Sequence, residues 1–435
     1  MTSRRQTGVL LVLLLFTIFG FVRHLHVPGE DLSSSYVGCL VLAAGEHDHL
    51  YDHDTELFNV QDDPSWTEPA ARSGFPADIQ LHPYVQTPLW AFSLRPLCTR
   101  MSFPAFNCLF LLLVMLSFSG TLWLVLRYWT PELFHPGWAA LLCLGLYLSE
   151  PFRYALFLNQ THILFLFLTV AALVSARRYP ILAGLLLAVA AAVKITPGFL
   201  LLYWLCTRQR KAALSFVLSS VALAALTLLA VGPNLLSAYL HELAEVSDVL
   251  LVAFNNQSLA AWLLAHTHPE ELFVWRIYPL GTAAKLASML FCIGSSILGG
   301  LLDRRSDPAQ PASPPVGAVI AMLGATMGTP IAWTHYFILL LLPITLMLAA
   351  NRRRRSPLLL ALVVAIYLLN LYPVSIGSIL EQTTAFSVVR SQWYAGLLSL
   401  IGLILLHRRA ADPRTRASQR KIGKSLTATR HPISS

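Results

Sequence analysis

A succession of long apolar stretches constrains this chain more than any other feature of its sequence. A membrane-spanning helix needs about 20 apolar residues, and fewer where it is short and packed among other helices. With 56% hydrophobic and 12% charged residues, the chain lacks the polar side chains that would cover a soluble globule. The sequence therefore predicts an all-α, polytopic membrane protein with about twelve transmembrane helices. The apolar stretches lie near residues 8–26, 105–127, 137–149, 161–176, 180–193, 197–207, 213–232, 281–301, 316–332, 336–350, 357–371 and 393–407.

The distribution of basic residues predicts how these helices are oriented. If the N-terminus is cytoplasmic, the segments on that side hold 22 of the 31 Lys and Arg residues but only four of the 22 Asp and Glu residues. This is the positive-inside pattern, so we expect both termini to be cytoplasmic. Anionic lipid headgroups then account for the net charge of +9, and no nucleic-acid partner is expected. We expect a cell inner (plasma) membrane location, although the sequence would also permit the endoplasmic reticulum.

Three long loops are predicted on the opposite, extracytoplasmic side, at about 27–104, 233–279 and 372–392. Residues 1–407 are expected to form one transmembrane domain, and 408–435 a basic, disordered cytoplasmic tail. Long loops in a compact protein are usually functional, so we expect the chemistry on the outer side.

The cysteines show no CxxC motif and no regular spacing. Cys39 and Cys98 share the first outer loop and could pair if that side is oxidising. We favour free thiols, with the other four acting as small buried hydrophobic residues.

Asp31 lies just beyond the outer end of the first apolar stretch. A carboxylate there could remove a proton from an acceptor hydroxyl, and partial burial would raise its pKa towards a useful range. The local sequence by itself favours another interpretation, in which Asp31 caps a helix leading into 36–44. The nearby stretch 46–54 is rich in His and Asp and could chelate a divalent ion, but it lacks the i, i+4 spacing of a zinc helix. We therefore expect a solvated acidic loop and no metal.

Lys194 lies between two short apolar helices whose other ends are predicted to be cytoplasmic. A helix of about 14 residues covers about 21 Å of a ~30 Å hydrocarbon core, so Lys194 should lie within or just above the membrane. It could bind a lipid phosphate in a cavity or extend to the outer headgroups, and the sequence favours neither. Polar residues at 159–162, 255–258 and 333–336, all at outer helix ends, could line a sugar pocket.

Several enzyme motifs are absent. The sequence contains no Walker A loop, no GxGxxG on a strand-turn-helix, no GxSxG and no HExxH. It therefore does not encode a soluble nucleotide-sugar fold, and no cofactor is expected.

Short motifs follow one another in a fixed order along the chain. They are Asp31-Leu32 with Tyr36, Leu50-Tyr51-Asp52, 82–89 with Tyr84, Arg95-Pro96-Leu97, 159–162 with Gln160, 183–197 with Lys194, Asn256-Gln257-Ser258 and His335-Tyr336. In this order they resemble glycosyltransferase family 87 of the GT-C superfamily, which includes polyprenol-phosphate-mannose-dependent mannosyltransferases. The resemblance covers roughly residues 1 to 350. Asn159 and His162 stand where the family pattern has Gly and Asn.

The resemblance implies an inverting hexosyltransferase that takes a sugar, mannose by analogy, from a polyprenyl-phosphate donor. The acceptor would be a lipid or glycan on the extracytoplasmic side, and neither a nucleotide nor a metal would be needed. Asp31 becomes the catalytic base, which reverses the helix-cap interpretation. The implied binding residues are Lys194, His335 and Arg95 for the donor phosphate, and Tyr36, Tyr84, Gln160, Asn256 and Gln257 for the substrates.

Three alternatives stay open. An arabinofuranosyltransferase of the same superfamily would show the same motifs. A multi-span transporter would suit the broken helix pair at Lys194, but such proteins commonly contain internal repeats, and we find none. In a non-catalytic lipid-binding protein, the presence of Asp31, Lys194 and His335 on one side would be coincidental.

Overall fold

The computed structural model describes residues 3–52, 61–267, 277–304, 315–371 and 390–411, and it is almost entirely helical. Every predicted apolar stretch coincides with a helix, so the all-α class is confirmed. The helices are α1 (Ser3–Arg23), α2 (Glu30–Ala44), α3 (Pro64–Arg72), α4 (Pro88–Cys98), α5 (Phe103–Leu124), α6 (Pro136–Leu148), α7 (Glu150–Phe157), α8 (His162–Ser175), α9 (Pro180–Val193), α10 (Leu200–Cys206), α11 (Arg210–Asp248), α12 (Leu259–Ala265), α13 (Thr282–Arg304), α14 (Val316–Gly328), α15 (Leu341–Arg354), α16 (Pro357–Asn370) and α17 (Ser391–Ala411).

Five helical segments in the described residues are long and apolar enough to cross a membrane. Six shorter apolar helices pack among them, and the number of crossings stays a prediction. The third predicted outer loop, except its last residues, and nearly all of the basic tail lie outside the described residues. The five segments are Arg4–Arg23, Phe103–Trp129, Arg210–Asp248, Thr282–Arg304 and Thr334–Arg354.

Helix α14 forms the centre of the bundle. Each of its residues is buried, and its thirteen residues include three glycines and three alanines. Small residues explain this position, because Gly317 of α14 faces Gly299 of α13 so closely that a Cβ on either would overlap the other's backbone. Helices that present small residues to each other can approach to backbone contact, as they do in membrane bundles.

A layer of shorter helices, α2, α3 and α4, covers one end of the bundle. A disulfide between Cys39 of α2 and Cys98 of α4 joins two of them, so our expectation of free thiols was wrong. The two cysteines are 59 residues apart in the chain, and only the packing of α2 against α4 brings them together. The connection before α13 adds a small antiparallel pairing of β1 (Val249–Leu251) with β2 (Ile277–Pro279).

The opposite end of the bundle carries the arginine-rich turns. Arg353, in the last turn of α15, forms an ion pair of 3.0 Å with Glu132 in the α5–α6 connection. Arg352 lies over the Trp138 ring, 5.9 Å from its centroid. Two of the segments that the charge pattern assigns to the cytoplasm, the α5–α6 connection and the end of α15, therefore meet at this end.

Candidate active site

Asp31 owes its position to the turn between α1 and α2. Gly29 adopts a left-handed conformation with φ of 67°, and a Cβ there would overlap the Asn107 side chain of α5. Asn107 Nδ2 also donates to the Val27 carbonyl, at 2.8 Å. Only glycine satisfies both constraints, so this turn starts α2 against α5. Helix α2 begins at Glu30 with Gly29 as its N-cap, so the interpretation of Asp31 as a helix cap was wrong.

The Asp31 carboxylate is mostly buried, and it lies close to His82 and to the neighbouring Glu30 carboxylate. Its side chain is 23% exposed, and Oδ1 is 3.7 Å from His82 Nε2. Burial raises the pKa of Asp31, while the charges of His82 and Lys194 act to lower it. A carboxylate with this balance stays ionisable and is more basic than one in water, which suits a general base.

Lys194 is the C-cap of α9, and the chain does not continue as a regular α-helix. A short 3₁₀ segment, Thr196–Phe199, follows, with Pro197 near its start. Lys194 Nζ donates to the Tyr336 hydroxyl at 2.7 Å and lies 4.9 Å from the centroid of that ring. The ammonium group therefore points into the protein instead of extending to a headgroup layer.

Three aromatic side chains surround this ammonium group. His335 and Tyr336 belong to the 3₁₀ segment Thr334–Leu340, and His162 is the first residue of α8. The His162 ring centroid lies 5.1 Å from that of His335 and 5.5 Å from that of Tyr336. Both imidazoles are buried, and within the described residues none of their ring nitrogens forms a hydrogen bond of normal geometry, although the His335 backbone lies close to the His162 ring.

Tyr154 of α7 connects the carboxylate to the imidazoles. Its ring lies 5.7 Å from that of His335, and its hydroxyl accepts from Asn255 Nδ2 at 3.3 Å. Burial raises the pKa of Tyr154, and the charge of Asp31 raises it further. The residues from Asp31 to His335 therefore form one electrostatically coupled cluster, which we call the polar cluster: Asp31, His82, Tyr154, His162, Lys194, Asn255, His335 and Tyr336.

A cavity extends from the polar cluster into the bundle. His162, Lys194 and Tyr336 lie at its polar part, together with Thr196. The rest of its lining is mainly apolar and comes from α8, α14 and the segment around Ile338: Phe165, Leu166, Thr169, Pro197, Met322, Thr326, Ile338 and Leu339. Such a cavity suits an amphiphile with a polar head and an apolar chain.

A network of backbone and amide contacts holds the His335 segment in place. Asn256 Nδ2 donates to the Pro330 carbonyl at 3.0 Å, and Asn256 Oδ1 accepts from the Ala332 amide at 2.9 Å. The backbone N–H of Gln257 donates to the Ala332 carbonyl at 2.7 Å. Asn256 and Gln257 are fully buried in these contacts, so they position the site and do not line it.

Arg390 supports the same network from the other side and was not singled out by the sequence. Its guanidinium is fully buried and donates to the carbonyls of Val252, Ala253 and Asn256. A sequence offers no signal for such a residue, because its partners are backbone atoms more than 130 residues away.

Four other residues from the sequence analysis lie in different surroundings. The Tyr36 hydroxyl donates to the Met101 carbonyl at 2.9 Å, and the Tyr84 hydroxyl donates to the Thr87 carbonyl at 2.7 Å. Both rings are buried in the core beneath α2 and α4. Arg95 stacks on Phe92, 5.5 Å from the ring centroid. Gln160 is buried in the turn just before His162. Of these four, only Gln160 is next to the polar cluster.

The His/Asp stretch forms a surface loop where it is described. His49 Nδ1 pairs with Asp52 Oδ2 at 2.6 Å, and both side chains are about half exposed. His53 and Asp54 lie outside the described residues. Across the described ranges, no group of three or more His, Cys, Asp or Glu side chains is arranged to hold a metal ion.

Comparison with protein families identifies the chain. Residues 84–298, about half of the sequence, match the model of glycosyltransferase family 87. The chain belongs to glycosyltransferase family 87. The resemblance seen in the motifs is thereby confirmed, and the protein is a glycosyltransferase with membrane-length apolar helices. The matched range includes His162, Lys194 and the 255–258 loop, whereas Asp31 and His335 fall on either side of it. No curated protein matches the chain.

Proposed function

We propose that this family 87 protein transfers a hexose from a polyprenyl-phosphate sugar to a lipid or glycan acceptor at the extracytoplasmic face of its membrane. One arrangement carries the proposal: Asp31 and Lys194, 163 positions apart in the chain, belong to one polar cluster beside an amphiphilic cavity, and the charge of Lys194 acts to lower the pKa of Asp31. A base for the acceptor and a cation for the leaving phosphate are the two groups that such a transfer needs. Mannose is the sugar that the resemblance implies.

In the proposed reaction, the Asp31 carboxylate takes the proton of an acceptor hydroxyl. The acceptor oxygen attacks the anomeric carbon as the bond from that carbon to the phosphate oxygen breaks, which inverts the anomeric configuration. The proton ends on Asp31, and the polyprenyl phosphate leaves with one additional negative charge. Lys194 and His335 would stabilise that charge through preorganised hydrogen-bond donors. The phosphate is already a good leaving group, so no nucleotide is required. The Arg95 guanidinium stacks on Phe92, and Arg95 has no part in this proposal.

The proposed side of the membrane follows from charge and redox chemistry. The arginine-rich turns are at the end of the bundle opposite α2–α4, as the positive-inside rule expects for a cytoplasmic face. The disulfide between Cys39 and Cys98 lies at the other end, and disulfides persist in oxidising compartments. Nucleotide sugars are cytoplasmic, so an outward-facing enzyme would take its sugar from a lipid carrier. An inner (plasma) membrane with both termini cytoplasmic fits this arrangement.

Replacement of the base tests the proposal. Asp31→Asn should lower transfer by about 10²–10⁴-fold, because general-base catalysis contributes on that order. The matched control is Glu30→Gln, one residue earlier in the same helical turn, which should keep most of the activity. Transfer would be measured with purified protein in nanodiscs and radiolabelled polyprenyl-phosphate mannose. Polyprenyl-phosphate arabinofuranose in parallel would identify an arabinofuranosyltransferase. If Asp31→Asn folds normally and retains turnover, Asp31 is not the base.

A further inference from the structure

His162 is a buried polar residue for which the reaction as written has no use. It is 9% exposed, it begins α8, and it lines the cavity beside Lys194 and Tyr336. Within the described part of the chain, neither Nδ1 nor Nε2 forms a hydrogen bond of normal geometry, although the His335 backbone lies close to the ring. A buried polar group without a partner is costly, and native proteins rarely keep one without a reason.

The neighbours of His162 show what such a partner would be. The ring lies among the Lys194 ammonium group, the Tyr336 hydroxyl and the His335 imidazole, all of which can donate hydrogen bonds. Each imidazole carries at least one N–H in either protonation state, so both rings can donate a hydrogen bond. The α8 N-terminus begins at His162 and adds the positive end of a helix dipole. The Asp31 carboxylate pairs with His82 Nε2, at 3.7 Å, and not with His162.

The cavity limits the ligand further. Beyond the donors, its wall is formed mostly by apolar side chains such as Phe165, Met322 and Leu339. A ligand that satisfies both parts carries an oxyanion with several acceptor atoms on an apolar chain. We propose that His162 is a third donor to the phosphate group of the polyprenyl lipid, together with Lys194 and His335. This inference rests on the proposed function and adds a binding residue to the same site.

Binding of the product lipid tests this role without any sugar transfer. Affinities of a polyprenyl phosphate and of the polyprenol of equal chain length would be measured by native mass spectrometry of the protein in nanodiscs. His162→Phe and His162→Leu should each weaken phosphate-lipid binding about tenfold or more, the range of one hydrogen bond to a charged group, and leave polyprenol binding unchanged. His162→Asn, whose amide can donate, should recover much of the difference.

Phe165→Leu is the matched control, because Phe165 lies three residues further along α8 and lines the same cavity. It should alter binding of both lipids alike. Equal losses for the two lipids in the His162 variants, or no loss in either, would overturn the assignment. The proposed function can fail separately: a wild-type protein that prefers the phosphate lipid but transfers no sugar would keep the His162 assignment and reject the reaction. A wild-type protein that binds both lipids equally would reject a phosphate role for His162.

Discussion

At the scale of single residues, a polar residue in a family motif need not contact the substrate. The sequence indicates Asn256 and Gln257 as sugar ligands, yet the side-chain amides of both residues donate to backbone carbonyls. Asn159 stands where the family pattern has glycine, and its φ is 49°. Asn tolerates the left-handed region better than most residues, so this departure from the pattern keeps the turn before α8. Polar residues near the site can therefore hold the backbone in place without binding the substrate.

The pH dependence of the reaction is a prediction at this scale. Burial raises the pKa of Asp31, and the base acts only when deprotonated. We therefore expect kcat/KM to increase with pH, with a midpoint above the usual range of a carboxyl group. His82→Phe removes a group whose charge lowers the pKa of Asp31, so the midpoint should move to still higher pH. Lys194 remains in this variant and continues to lower the pKa of Asp31.

The measurement is a pH–rate profile of kcat/KM for wild type and His82→Phe. His49→Gln is the control, because His49 pairs with Asp52 at the surface and should leave the midpoint in place. A midpoint that stays fixed in His82→Phe would mean that His82 does not act on Asp31.

At the scale of elements, helix ends place the chemistry. The sequence predicts a short α9 that stops within the membrane, and the structure ends α9 at Val193, with Lys194 directed to Tyr336. Asp31, His162 and His335 likewise lie in the first turn of a helix or of a 3₁₀ segment. Helix ends leave backbone groups unpaired and break the apolar surface, so a membrane protein can place polar groups there at the least cost.

The close packing of α13 against α14 gives a prediction for these elements. Gly317→Leu should lower the melting temperature clearly, because the new side chain overlaps the backbone of Gly299, and such overpacking typically costs about 1–3 kcal/mol or more. Gly294→Leu is the matched control on α13, since a Cβ there meets open space. Thermal unfolding of both variants in detergent is the measurement. A Gly317→Leu protein as stable as Gly294→Leu would show that the two helices are further apart.

At the scale of the whole molecule, the two ends of the bundle differ in charge and in packing. The arginine-rich turns meet at one end, where Arg353 pairs with Glu132, and the disulfide and α2 lie at the other. The proposed reaction requires this second end to be extracytoplasmic, so the proposal of a lipid-linked donor depends on the orientation of the protein.

Reporter fusions would measure this orientation. Alkaline phosphatase fused after Asp52 should be active, because that enzyme needs an oxidising compartment, and a fusion after Arg178 should be inactive. Green fluorescent protein at the same two positions should give the reverse pattern and serves as the control. The opposite result at both positions would place the polar cluster in the cytoplasm and reject an extracytoplasmic transferase.

The sequence by itself determined the membrane class, the helical stretches, the orientation expected from charge and the position of Lys194 at a helix end. These properties depend on local composition and on helix length, which a linear sequence contains in full. Only the tertiary structure decided that Tyr36 and Tyr84 belong to the core and that Cys39 pairs with Cys98. It also brought Asp31, Lys194 and His335 into one cluster. Tyr154 packs against His335 there, and Arg390 holds the neighbouring backbone. Those outcomes depend on contacts between helices far apart in the chain, and the packing of side chains selects such contacts without leaving a local pattern.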